Sequence, residues 1–175
     1  MPKRIILPVE NLSEDTSKFF DVLNESNDLA VVLVAASYID ASLAALLYRF
    51  FIESSVSDKL LDVQGGALGS FTSRCDAAYA LALINKPMYQ DLIKIAEIRN
   101  EFAHYHLALD FQAPNVSRLC GDLRYVNSLF GTTNDQNPFE KIMTKTRDRF
   151  VITVVMISQR LLVNGLGIKR QGTTD

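Results

Sequence analysis

The run LAVVLVAASYIDASLAALLYRFFIE, residues 29–53, reads either as a membrane span or as the core helix of a packed protein. It is long enough to cross a bilayer. Asp40 stands at its centre and Arg49 near its end, each costing roughly 2.5 to 3.5 kcal/mol at mid-membrane, and no basic cluster flanks it. A buried helix is therefore expected, and no membrane association. Advancing about 100° per residue from Leu29, Leu33, Ala36, Leu43, Leu47 and Phe51 fall in one stripe, with Asp40 inside it. Val31, Val34, Ala41 and Ala45 make the remaining surface apolar too, so cover on more than one side is expected.

The rest of the chain supports that choice. With 175 residues, 48% hydrophobic and 22% charged, it has the size and composition of one globular domain with its own core. The expected fold is an all-α, single-domain bundle of six to seven helices. After an irregular lead-in over residues 1–12, interrupted by Pro2 and Pro8, a short helix runs from Ser13 to about Asn24. Asn27 or Asp28 caps the long helix. Val56 to Val63 forms a short helix stopped by Gly65 and Gly66. Ser70 or Thr72 then caps an alanine-rich helix to about Ile84.

Pro87 suits the first turn of a helix from Met88 to about His106, and Asn115 caps another to Tyr125. Residues 127–138, NSLFGTTNDQNP, read as a loop. A last helix runs from Phe139 to about Asn164, its β-branched FVITVV segment assigned to a helix by length. Residues 165–175 read as a flexible tail.

A formal charge of −2 and an isoelectric point near 5.7 argue against a surface that holds nucleic acid by neutralising phosphates. Cys75 and Cys120 lie in no zinc-ligand spacing, and free thiols in the cytoplasm are expected. The apolar run at the N-terminus is too short for a signal-peptide core. There is no Ser/His/Asp set, no HExxH and no phosphate-cradling glycine loop, so neither metal nor cofactor is expected. Apolar residues on several helix faces suit a homodimer as well as a larger internal core.

Polar residues at apolar positions carry the functional signal. In IAEIRNEFAHYHLALDF, residues 95–111, a wheel from Leu92 puts Leu92, Ile95, Ala96, Ile98, Phe102 and Ala103 on one arc, opposite Lys94, Glu97 and Glu101. Arg99 lies inside the apolar arc. Asn100 and His104 project together from its flank, while His106 is expected to face solvent. A core-facing guanidinium needs a carboxylate, backbone carbonyls or a bound anion. Asp40 is the natural partner, and Arg74, in phase with Ala77, Ala78 and Leu81, is a third candidate. Either Asp40, Arg74 and Arg99 form a buried charge cluster fixing how three helices meet, or two arginines against one aspartate leave a site for an anion such as phosphate.

Taken in order, Ile39-Asp40 within an apolar helix, GALGSFTSRCDAAYALALI at 66–84, and IAEIRNEFAH at 95–104 resemble the mannitol operon repressor family of bacteria. The resemblance spans roughly residues 29–125. It implies an all-α bundle with a role in transcriptional regulation. No helix-turn-helix with a basic recognition helix is found, so direct sequence-specific DNA binding is not expected and the implied regulation runs through a protein partner.

A looser resemblance is to the HEPN superfamily, whose ribonuclease members carry an arginine, commonly followed by a polar residue, and a histidine after four to six intervening positions. Arg99-Asn100 and His104 satisfy that spacing. The resemblance implies metal-independent RNA cleavage, often across a dimer, by attack of a 2′-hydroxyl on the adjacent phosphate. Arg99 would then stabilise phosphate charge, His104 exchange protons, and Asn100 orient either. A third reading is a helical subunit of a larger complex with no chemistry of its own.

Overall fold

The computed structural model describes residues 6–105, 109–131, 137–169 and 172. Their regular structure is helical, with no strand among the described residues: α1 (Val9–Glu14), α2 (Thr16–Glu25), α3 (Asp28–Phe50), α4 (Ser55–Leu61), α5 (Phe71–Ala80), α6 (Lys86–Tyr105), α7 (Pro114–Gly121), α8 (Tyr125–Phe130) and α9 (Thr146–Gly167). A 3-10 turn, Ile142–Thr144, precedes α9. The expected all-α class is the observed one.

The central helix is α3, which packs along α9, α6, α5 and α2. Asn27 starts it, its side-chain oxygen accepting the Ala30 N–H at 2.9 Å. Both α3 and α9 are long and apolar enough to cross a membrane, with mean hydropathies of 2.0 and 1.6. About half of each apolar stretch, 56% and 44%, is instead buried inside the bundle. The buried face of α3 includes Val32, Ala35, Ile39, Leu43 and Leu46. That face is rotated by roughly a quarter turn from the stripe drawn through Leu33 and Leu47. Leu33 is accordingly 39% exposed, and Asp40 sits at the rim of the core rather than its middle. With apolar residues almost all round α3, hydrophobicity alone does not select a face; the neighbours do.

Several element boundaries differ from the sequence expectation. The lead-in is partly helical, because Pro8 sits at the N-cap of α1, where its missing N–H costs nothing. Val9 and Leu12 of α1 are buried, and Gly165 on α9 lets Val9 approach so closely that an added Cβ would lie 3.0 Å from its Cγ2. Residues 127–130, read as loop, belong to α8. The helix read from Asn115 to Tyr125 is α7, which starts at Pro114 and ends at Gly121, and Tyr125 opens α8. The last helix begins at Thr146 rather than Phe139, and runs through Gly165 to Gly167. Short helices such as α1 and α8 carry too few residues for a periodic pattern to show.

α5 and α6 form an antiparallel hairpin, fixed by Tyr79 stacking on Tyr89 with ring centroids 4.8 Å apart. The Tyr89 hydroxyl also donates to Asp76 at 2.9 Å. Since α5 has 10 residues and α6 has 20, α5 covers only the first half of α6. An aromatic chain, Phe102–Phe111–Phe150 with centroid distances of 5.7 and 5.3 Å, joins the second half of α6 to α9.

Candidate functional site

Ser70 opens α5 with a capping box, its side chain accepting the Ser73 N–H while the Ser73 hydroxyl accepts the Ser70 N–H. One turn on, Arg74 points back across α3. Its Nη1 donates to Asp40 Oδ1 at 2.6 Å, with side chains 3% and 23% exposed. Nη2 reaches the carbonyls of Leu61 and Gly69 at 3.4 and 3.3 Å, long for hydrogen bonds, and Nε is buried without a partner. Those carbonyls are held by the tight turn after α4. A side chain at Gly66 would collide with the Lys59, Leu60 and Asp62 carbonyls, so Gly66 does more than stop a helix.

Asp40 and Arg74 line a groove of about 340 Å³, walled by Ile6, Leu7, Leu12, Val34, Ala41, Ala44, Leu61 and Val63 with Asp15, Ser37 and Tyr38 at its polar positions. The Tyr38 hydroxyl is engaged, donating to the Leu12 carbonyl at 2.7 Å.

Of the three residues expected in a buried charge cluster, the structure brings together Asp40 and Arg74. Arg99 is exposed and its Nη1 donates to Asn100 Oδ1 at 3.2 Å. It lies in the second half of α6, past the part that the shorter α5 covers, and is exposed there among the described residues. Ala103, one turn on at the same phase, is exposed for the same reason. Among the described residues lining this groove one arginine stands with Asp40 and Asp15, so the pair of arginines on which the anion expectation rested is not assembled there.

Arg99, Asn100 and His104 are all exposed on the last turns of α6, which ends at Tyr105. His106 lies outside the described residues. In an ideal helix Arg99 and His104 stand about 140° apart. A single copy therefore does not aim both at one phosphate.

Two acids have structural roles that the sequence reading did not assign, one half-buried and one fully buried. Asp28, at the start of α3, takes Arg147 of α9 at 2.6 Å on Oδ1 and the Phe111 N–H at 3.1 Å on Oδ2. Arg147 also donates to the Ser26 carbonyl at 2.7 Å. Their separation of 119 residues leaves no local signal. Asp91 of α6 is fully buried and accepts the N–H groups of Arg124, at 2.9 and 3.0 Å, and Tyr125, at 2.7 Å, capping α8 from another helix.

Burial pushes the Asp91 carboxyl above the usual carboxylate range, outweighing the pull of the Tyr125 and Arg124 N–H groups. The folded chain thus holds this proton more tightly than the unfolded chain. The group's contribution to stability rises as pH falls from above its folded pKa toward the unfolded value of about 3.9. Asp91→Ala leaves two backbone N–H groups unsatisfied, at about 2 kcal/mol in urea unfolding at neutral pH, and the gap from wild type widens toward pH 4.

Cys75 and Cys120 are free and buried. Burial drives both thiols up, Cys120 to about 12, so neither is a nucleophile at neutral pH. Among the described residues no group of three or more His, Cys, Asp or Glu is placed to hold a metal ion.

No family model and no curated protein matches the sequence. In fold, the chain is similar to a chain of the X-ray structure of the MtlR-HPr complex from Escherichia coli, with a TM-score of 0.64 at 16% identity, over 85% of this chain and 98% of that one. The likeness is one of fold, spanning most of both chains.

Proposed function

We propose that this chain is a mannitol repressor-like regulator of the cytoplasm that acts by holding a small protein partner of the HPr kind. The observation that carries the reading is the fold shared over nearly the whole length of a chain from the MtlR-HPr complex. The ordered resemblance of residues 29–125 to the mannitol operon repressor family points the same way. Overall charge favours a protein over DNA, because the chain carries a formal net charge of −2. A chain without excess positive charge is poorly suited to hold DNA through phosphate contacts. The expected outcome of gel filtration is co-elution of the chain with HPr from its own organism. In a mobility-shift assay at low salt, the pure chain does not retard operator DNA on its own. Elution of the two proteins apart, together with a specific DNA shift, overturns the reading.

A ribonuclease activity is the second reading, favoured by one observation: Arg99, Asn100 and His104 are exposed together at the end of α6. It requires two copies to present Arg99 and His104 to one phosphate. If it holds, the pure dimeric protein cleaves RNA without added metal, and His104→Ala abolishes cleavage without moving the melting temperature. No cleavage across diverse RNAs ends it.

A further inference from the structure

The groove beside α3 carries an inference independent of the regulatory reading. Its volume of about 340 Å³ falls in the range of small-molecule sites, and its walls are mostly apolar, with a charged pair at one place. Within that pair Arg74 is nearly inaccessible, at 3% exposed, whereas Asp40 keeps 23% of its side chain open. The described hydrogen bond to Asp40 is made on Oδ1, with none described on Oδ2. Arg74 in turn is weakly satisfied beyond Asp40, with an unpartnered buried Nε. The guanidinium therefore holds the carboxylate in place from behind.

Asp15 adds a second acid to the groove's lining, itself tied to exposed Lys18. The groove thus presents one fixed carboxylate, more open than the arginine paired with it, beside aliphatic walls, and its two acids are each ion-paired. Asp40, at 23% exposed against 3% for Arg74, is the charge a head group meets first, which favours a cation over an anion.

We propose that this groove binds a small amphipathic amine, its ammonium on Asp40 and its apolar body along Val34, Ala41, Ala44, Leu61 and Val63. The test is a protein-observed NMR titration with n-hexylamine, cationic at neutral pH, against n-hexanol and n-hexanoate as matched probes. Hexylammonium should give saturable shifts of amides around Val34, Ala41 and Val63, hexanol weaker ones and hexanoate none. Val34→Trp fills the groove from a position 36% exposed and leaves both Asp40 and Arg74 in the sequence. It should weaken hexylammonium binding by about tenfold or more. If Val34→Trp fails to fold, Ser37→Phe at an exposed position serves the same purpose. Hexanoate binding as tightly as hexylammonium, the absence of saturable shifts, or unchanged affinity in the filled variant overturns the proposal.

Discussion

Asp40→Ala should destabilise the chain by about 3–5 kcal/mol, because it leaves the Arg74 charge buried with no counter-charge. Arg74 is 3% exposed and its remaining acceptors, the Leu61 and Gly69 carbonyls, lie at 3.4 and 3.3 Å. The guanidinium cannot shed its proton, so α5 must shift to let water in or the turn after α4 must open. Replacing both partners, Asp40→Leu with Arg74→Met, should recover most of the loss, since the pair's attraction is largely offset by desolvation. Chemical unfolding of the three variants checks this. Arg99→Ala, an exposed change, should leave unfolding unaltered.

The second large effect is expected at Phe111. Its ring is 1% exposed between Phe102 of α6 and Phe150 of α9, and its N–H is held by Asp28. Phe111→Ala opens a cavity that two helices fixed on either side cannot collapse to fill, at about 3–5 kcal/mol. Phe111→Leu should cost distinctly less, because most of the volume is kept. The thermal midpoints of the two variants give the comparison.

Much of the architecture was legible in the sequence, and particular residues show why some was not. The apolar length of α3 and α9, the serine cap of α5 and the proline at the start of α6 are local signals, and they identified helices. Arg74 was legible as an interior charge because its helix has one apolar face. Arg99 was misread because helical phase says which side a residue faces, not whether a neighbour extends far enough to cover it. Asp91 shares the phase of the buried Ile98 and Phe102, and a stripe begun at Leu92 misses it by one residue. Its role, capping α8, depends on a contact 33 residues away. The rotation of the buried face of α3 was not legible, since a helix apolar on nearly all sides has no preferred direction until its partners are placed.

The candidate site residues divide in the same way. The Arg99-Asn100-His104 spacing is visible in the sequence, but its meaning rests on whether two copies meet, which spacing does not encode. The Asp40–Arg74 groove needed three elements far apart in the chain to be brought together before its shape existed.

The central claim, that this fold works by holding a protein partner, is tested most directly by calorimetric titration of HPr from the same organism into the purified chain. A saturable heat with a defined stoichiometry, unaffected by nuclease treatment, is the predicted result. Heats indistinguishable from dilution, at concentrations well above the micromolar range, would contradict it.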